Sequence, residues 1–202
     1  MFLPGASGDT ALWKPVADLL SHRGRRRFFS WPGFCGAPPD PSVRGIGDLV
    51  ERVVVEITGP VVLFAQSMGG IIALRAALAV PELVRALVLS VTSGGIDVGA
   101  LGAVDWRPEF AKQNPQVPRW FLDASEDMTS QLHRVDAPAL LLWGDADEIS
   151  PIAVGCRLTQ LLPRSALVIL PGGTHDLVRE RASEVALQID GHLRRSLQLG
   201  AG

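Results

Sequence analysis

The sequence has no tyrosine and only two lysines, Lys14 and Lys112, against seventeen arginines. A tyrosine general base is therefore excluded, and a Schiff-base or phosphate-loop lysine has almost no place in this chain. The chain also lacks an excess of either charge, since 19 basic and 21 acidic side chains leave a formal net charge of −2. Nothing in this balance favours nucleic acid as a partner.

Cysteine and long uninterrupted apolar runs are scarce as well. Cys35 and Cys156 cannot form a disulfide framework and lie in no C-x-x-C pair, so we expect free, buried or half-buried thiols in a reducing cytoplasm. The N-terminal residues show no secretory signal pattern. The apolar run 61–80 is interrupted by polar residues and a glycine pair, which is typical of a strand followed by a helix. We expect a cytoplasmic protein that does not bind a membrane.

The chain is long and apolar enough for one domain with a sizeable core, which we expect to span 1–202. Short apolar runs alternate with helical patterns, which predicts an α/β fold with a mostly parallel sheet of about six strands and helices on both faces. The predicted strands are 2–3, 27–31, 61–65, 86–91, 139–143 and 166–170. The predicted helices are 13–22, 46–57, 69–80, 152–162 and 181–197.

Residues 96–136 interrupt this alternation, because they show no strand pattern. We interpret this segment as a small cap inserted between two strands. Its large aromatic residues could line an acyl pocket or could anchor the cap to the core, and the sequence favours neither. These residues are Trp106, Phe110, Trp120 and Phe121.

The segment 64–70, Phe-Ala-Gln-Ser-Met-Gly-Gly, lies between an apolar strand pattern and an apolar helix pattern. A nucleophile elbow has this context, because its serine lies on a tight strand-to-helix turn with the hydroxyl exposed. Ala65 and Gly69, two residues before and after Ser67, are as small as such a turn requires. The alternative is a serine N-cap followed by a glycine-rich helix start.

A catalytic serine needs a base to take its proton, and that base needs an acid to orient it. His175 is the candidate base, because it lies in a glycine-rich turn after the last predicted strand. That position belongs to the carboxyl edge of the sheet, where open α/β folds bind ligands. We expect the other three histidines, His22, His133 and His192, on the surface.

The segment that follows the predicted strand 139–143 offers the acid. We take Asp147 as the triad acid, with Asp145 second, because Asp145 is typical of a turn residue that bonds to its own backbone. Asp97, after the preceding strand, is the third candidate. Ser67, Asp147 and His175 follow one another in the chain order of one known triad architecture.

Five motifs in this order resemble the α/β-hydrolase fold superfamily, and in particular its small serine carboxylesterases. They are the first loop 2–9 with Trp13, the segment 31–36, the elbow 65–69, the Gly-x-x-Asp turn 144–147 and the Gly-x-His-x-Leu loop 173–177. The resemblance implies that the backbone N–H groups of Ala6 and Met68 form the oxyanion hole.

The sequence also departs from the pattern of that superfamily. Pro4 stands where a histidine is usual, and Trp31 lies near the position of a common aspartate. The first two strands of the family are expected to be missing. Neither side-chain change removes a catalytic atom, because the implied oxyanion donors are backbone groups.

The resemblance implies a serine hydrolase that cleaves a carboxylic ester or thioester of a small molecule, with no cofactor and no metal. Three alternatives stay open. The segments 32–36 and 67–74 also resemble menaquinone-pathway enzymes, which implies a lyase or C–C bond hydrolase with the same triad, the lyase acting without an acyl-enzyme. Cofactor-free haloperoxidases share the triad too. A degenerate fold that only binds is the non-enzymatic alternative. The sequence does not predict the oligomeric state.

Overall fold

The computed structural model describes residues 1–198, and the last four residues of the expected domain lie outside them. Within that range five parallel strands form one sheet, in the order β1-β2-β3-β4-β5. The strands are β1 (Phe2–Leu3), β2 (Val61–Gln66), β3 (Val84–Ser90), β4 (Ala139–Gly144) and β5 (Ser165–Leu170). The predicted fold class is confirmed, with five strands in the described range where about six were expected.

The strand predicted at 27–31 accounts for this difference. Only Phe28 joins the sheet, through an isolated parallel bridge to Phe2. The Phe2 N–H donates to the Arg27 carbonyl at 2.7 Å, and the Phe29 N–H donates to the Phe2 carbonyl at 2.9 Å. Because β1 is only two residues long, it cannot pair with more of its neighbour, and the apolar segment stays an extended loop.

Helices flank the sheet close to the predicted positions. Five α-helices precede β4. They are α1 (Lys14–Leu19), α2 (Ile46–Glu56), α3 (Met68–Ala79) and, in the 96–136 segment, the short α4 (Arg107–Gln113) and α5 (Arg119–Asp123). After β4 come α6 (Ile152–Leu161), α7 (Leu177–Glu180) and α8 (Ala182–Gln198). Eight of the twelve residues of α3 are buried, which agrees with its nearly continuous apolar sequence.

The parallel order of the strands brings distant parts of the chain to one edge. All carboxyl ends of parallel strands lie at the same edge of a sheet. Ser67 directly follows β2, Asp147 follows β4 in a short turn, and His175 follows β5. The three residues therefore lie at one edge of the sheet although 108 positions separate the first from the last (175 − 67).

Three expectations about burial are wrong. His192 is buried, with 5% of its surface exposed, because α8 packs it against the sheet. Cys35 and Cys156 are exposed, the first in a loop and the second on the outer side of α6.

Over residues 1–198, no helix combines the length and the apolar character needed to cross a membrane.

Candidate active site

Ser67 has the strained backbone of a nucleophile elbow. Its φ is +51° and its ψ is −122°, a conformation that costs a residue with a side chain of the order of 1–3 kcal/mol. Two hydrogen bonds hold it there: the Ser67 N–H donates to the Ser90 carbonyl at 3.0 Å, and the Gly70 N–H donates to the Ser67 carbonyl at 2.9 Å. The side chain is half-buried. Since α3 begins at the next residue, Ser67 lies at the positive end of the helix dipole.

The start of α3 packs directly against the first loop, which follows β1. A Cβ atom at Gly69 would lie 2.7 Å from the carbonyl oxygens of both Leu3 and Pro4, so only glycine fits. The indole N–H of Trp13 donates to the Leu3 carbonyl at 3.3 Å, and that of Trp31 donates to the Pro4 carbonyl at 3.0 Å. The two buried tryptophans therefore fix the beginning of the first loop. The hydrogen bond from the Trp31 indole to the Pro4 carbonyl also gives Trp31, one of the two side-chain departures from the family pattern, a structural role.

Asp147 and His175 form the polar centre of the site. Asp147 Oδ2 lies 2.8 Å from His175 Nδ1. The other carboxylate oxygen accepts the N–H groups of Ile149 at 2.9 Å and of Ser150 at 3.0 Å. The side chain of Asp147 is fully buried, whereas 23% of the His175 side chain is exposed. A buried carboxylate on Nδ1 places the proton of the neutral ring there and leaves Nε2 free to accept a proton.

Asp145 has a different partner from the one expected for it. Its carboxylate accepts the N–H of Gly172 in the loop that carries His175, rather than an N–H of its own turn. The two loops also meet through their backbones, because the Ala146 N–H donates to the Gly173 carbonyl at 3.0 Å. A Cβ at Gly144 would lie 2.0 Å from that same carbonyl oxygen, so this position requires glycine.

The remaining candidates lie apart from this centre. His22 and His133 are exposed, as expected, and so is Asp97, which accepts the N–H of Ala100 at 3.3 Å. His192 is buried in α8, where Ser196 Oγ lies 3.4 Å from its Nδ1. Of the four histidines, only His175 is paired with a carboxylate in the described part of the chain.

The two expected oxyanion donors lie on the two elements that meet beside Ser67. Met68 is the first residue of α3, and the N–H groups in the first turn of a helix have no partner within the helix. Ala6 belongs to the first loop, where the Gly8 N–H donates to the Gly5 carbonyl at 3.0 Å and closes a tight turn. A Cβ built on Gly5 would lie 2.9 Å from the Cβ of Ser67, so this turn touches the nucleophile.

The aromatic residues of the 96–136 segment form one cluster. The Phe121 ring lies 5.3 Å from Trp106, 5.8 Å from Phe110 and 6.1 Å from Trp120, measured between ring centroids. Phe34, outside the segment, contacts Phe121 at 5.3 Å. Because Phe34 and Phe121 are both buried, the cluster holds the inserted segment against the body of the protein. This arrangement supports the anchoring interpretation, which the sequence left open.

Residues that sequence reasoning missed also contribute to the site. Gln66 is buried and donates its amide Nε2 to the His175 carbonyl at 3.1 Å. Arg179 on α7 forms an ion pair with Asp9 of the first loop. A polar residue at the end of an apolar strand is the signal that could have identified Gln66. Within the described range 1–198 no group of three or more His, Cys, Asp and Glu side chains could hold a metal ion.

The parallel sheet thus has a strained serine after β2 and an Asp–His pair from the turns after β4 and β5 at one edge. The sequence profile of the Alpha/beta hydrolase family matches residues 1–188. The chain belongs to this family, so the predicted superfamily is confirmed.

Relatives and solved structures extend this result. The chain is 24% identical over 221 residues to the pimeloyl-[acyl-carrier protein] methyl ester esterase of Nitrosomonas europaea, with 87% of each chain covered. Its fold is similar to that of a bacterial membrane phospholipase A, with a TM-score of 0.77 and 22% identity, covering 96% of this chain and 78% of the other. It is also similar to a thermophilic esterase from Thermogutta terrifontis, with a TM-score of 0.75 and 20% identity over 96% and 89% of the two chains.

Proposed function

We propose that this protein is a serine hydrolase that cleaves a carboxylic ester or thioester through an acyl-enzyme on Ser67. The observation that carries the proposal is the 2.8 Å contact between Asp147 Oδ2 and His175 Nδ1, at the sheet edge that also holds the strained Ser67. The name of the relative from Nitrosomonas europaea, a methyl ester esterase, agrees with an enzyme that cleaves ester bonds.

In the acylation step His175 Nε2 takes the Ser67 hydroxyl proton while Oγ attacks the carbonyl carbon of the substrate. Asp147 keeps the other ring proton on Nδ1 and stabilises the imidazolium that forms. The tetrahedral intermediate then collapses, the bond to the leaving alkoxide or thiolate breaks, and His175 returns the proton to that group. An ester on Ser67 remains.

Deacylation repeats these steps with water. His175 takes a proton from a water molecule, whose oxygen attacks the ester carbonyl, and then returns the proton to Ser67 Oγ as the carboxylic acid leaves. The His175 side chain is partly exposed, so water can reach the ring, whereas the buried carboxylate of Asp147 holds the ring in place. No cofactor is required for either half of the reaction.

We infer that the backbone N–H groups of Ala6 and Met68 hold the oxyanion in both tetrahedral intermediates. One donor of this kind is typically worth about 3–4 kcal/mol of transition-state stabilisation. The packing of Gly69 against the Leu3 and Pro4 carbonyls supports this assignment, because it fixes the first loop relative to the start of α3. The chain has no tyrosine, so no tyrosine hydroxyl of its own can assist.

We further propose that residues 96–136 form a small cap over the site of a single hydrolase domain. The helices α4 and α5 supply most of its regular structure. Trp106, Phe110 and Trp120 are half-buried and could present ring edges to an acyl chain, while Phe121 anchors them. A cap of this length favours an open site with modest selectivity among acyl chains.

Labelling with a fluorophosphonate probe tests the central proposal. The wild-type protein is expected to react at Ser67, located by peptide mass spectrometry, and Ser67→Ala is expected not to react. Ser183→Ala is the control, because Ser183 is exposed on α8 and lies outside both the cap and the site. An unlabelled wild-type protein, or a label on any other residue, would overturn the proposal.

The chemistry itself is tested with p-nitrophenyl esters of increasing chain length. A burst of nitrophenol equal to the enzyme concentration, together with an acyl group on Ser67 in rapidly quenched samples, is expected for a hydrolase. A lyase that uses the triad only for proton abstraction would accumulate no acyl-enzyme. A binding module would show neither labelling nor turnover.

A further inference from the structure

Gln66 is a buried polar side chain that the mechanism above does not use. It is the last residue of β2 and directly precedes Ser67, and only 4% of its surface is exposed. Burial of an amide costs free energy unless its polar atoms find partners. The partners of Gln66 therefore indicate what keeps a polar residue at this position.

The side-chain amide of Gln66 lies between two loops of the site. Its Nε2 donates to the backbone carbonyl of His175 at 3.1 Å. Its Oε1 faces the first loop, because a Cβ built on Gly5 would lie 2.3 Å from that oxygen. One side chain thus contacts both the loop that carries the base and the loop that carries Ala6.

The orientation of this amide is determined by chemistry. A backbone carbonyl can only accept a hydrogen bond, so the NH₂ end of the Gln66 amide must face His175 and the oxygen must face Gly5. The peptide bond that follows Gln66 leads directly to Ser67. A displacement of either loop relative to the nucleophile would break or strain the contacts of this one side chain.

We propose that Gln66 is a positioning residue for the reaction proposed above, on which this inference rests. Its Nε2 hydrogen bond holds the His175 loop at the working distance from Ser67, and its Oε1 holds the Gly5–Ala6 turn beside the nucleophile. An amide neither takes nor gives a proton at neutral pH, so the contribution of Gln66 is geometric. It acts on catalysis through His175 and Ala6.

The test is a comparison of Gln66→Met with Gln66→His in steady-state ester hydrolysis. Methionine has a similar size and shape but no donor, and a loop displaced by about 1 Å can lower a rate by about a hundredfold. We expect kcat to fall by about tenfold to a hundredfold with KM within about twofold of the wild-type value. Histidine retains an N–H at a similar reach, and we expect Gln66→His to recover part of the lost kcat.

Leu63→Ala is the matched control, because Leu63 is fully buried on the same strand and, three residues before Gln66, lies on the opposite face of the sheet. We expect Leu63→Ala to lower the melting temperature at least as much as Gln66→Met does. When kcat is measured well below the melting temperature of the variant, we expect it to stay near the wild-type value. If Gln66→Met does not fold, as judged by circular dichroism, Gln66→Asn replaces it, since its amide is one methylene too short to reach His175.

Two results would overturn the inference. One is a wild-type kcat in Gln66→Met, and the other is a loss of kcat that Leu63→Ala shows equally at the same loss of melting temperature. Both results bear on Gln66 only when the wild-type protein reacts with the fluorophosphonate at Ser67. A wild-type protein that does not react overturns the proposed function itself, which is a separate result.

Discussion

Asp9 and Arg179 form an ion pair that joins the first loop to the helix directly after the His175 loop, across 170 positions of sequence. About half of the Arg179 side chain is exposed, and the pair is therefore expected to add less than about 1 kcal/mol to stability. Asp9 also accepts the Ala11 N–H at 2.7 Å, so the carboxylate has a structural partner within its own loop.

The first prediction is that Arg179→Gln changes the free energy of unfolding in urea by less than about 1 kcal/mol. The loss should be smaller still in 0.5 M salt, because salt screens an exposed pair in the wild-type protein. Asp9→Asn and the double variant complete a thermodynamic cycle. A coupling energy well above 1 kcal/mol would show that the pair contributes more than exposed pairs do.

The second prediction separates the two aspartates that follow β4. Asp147→Asn removes the carboxylate that orients His175 and should lower kcat by about 10⁴-fold, because the wrong ring tautomer becomes favoured. Asp145→Asn keeps an oxygen that can accept the Gly172 N–H, and its kcat should stay within about tenfold of the wild-type value. Steady-state ester hydrolysis measures both. Equal losses, or a larger loss for Asp145→Asn, would reverse the assignment of the acid.

The third prediction concerns the backbone strain at Ser67. Ser67→Gly and Ser67→Ala both remove the hydroxyl, but only glycine adopts a φ of +51° without steric cost. Ser67→Gly should therefore be more stable than Ser67→Ala by about 1 kcal/mol in urea unfolding. Both variants should lose kcat by about 10⁴–10⁶-fold. Equal stabilities would mean that the turn relaxes when the side chain is changed.

The sequence identified Ser67, Asp147 and His175 as candidates because each one follows an apolar strand in a short turn. Parallel pairing then dictates that the ends of β2, β4 and β5 share one edge, so the placement of these three residues at that edge could be predicted without tertiary detail. The predicted oxyanion donors depended on the resemblance to a family, since a backbone N–H has no sequence signal of its own.

Other features of the fold and the site depend on three-dimensional contacts that the spacing of residues in the sequence cannot show. The bond from the Trp31 indole to Pro4 and the reach of the Gln66 amide to the His175 loop join residues far apart in sequence. The burial of His192 depends on which face of α8 meets the sheet, and its sequence neighbours include arginines that suggest a surface position. The segment 27–31 is not a full strand because its partner β1 has only two residues, and an apolar run alone does not show how much of it will pair.

The fourth prediction distinguishes an anchoring from a pocket-lining role for the aromatic cluster. Phe121 is buried at its centre, and Phe121→Ala should lower the free energy of unfolding by about 3–5 kcal/mol. Trp106→Ala, at the half-buried margin of the cluster, is expected to cost less. Urea unfolding and KM values for short and long acyl esters are measured together. Unchanged stability of Phe121→Ala with a raised KM for long chains would assign Phe121 to the pocket instead.

The fifth prediction is a loss of stability in mild acid that originates at His192. Burial lowers the pKa of His192 below its usual 6.5, and the charge of nearby Arg195 lowers this pKa further. Because the unfolded chain keeps the ordinary pKa, it binds more protons than the folded chain between these two values. The contribution of His192 to the free energy of unfolding is therefore complete above about pH 6.5 and is lost as the pH falls through the folded-state pKa.

Urea unfolding of the wild-type protein and of His192→Phe between pH 5 and pH 8 measures this contribution. The difference in stability between them should shift in favour of His192→Phe as the pH falls, because phenylalanine does not titrate. Parallel curves for His192→Phe would show that His192 opens to water before it is protonated, in which case its burial would not govern the acid stability of the protein.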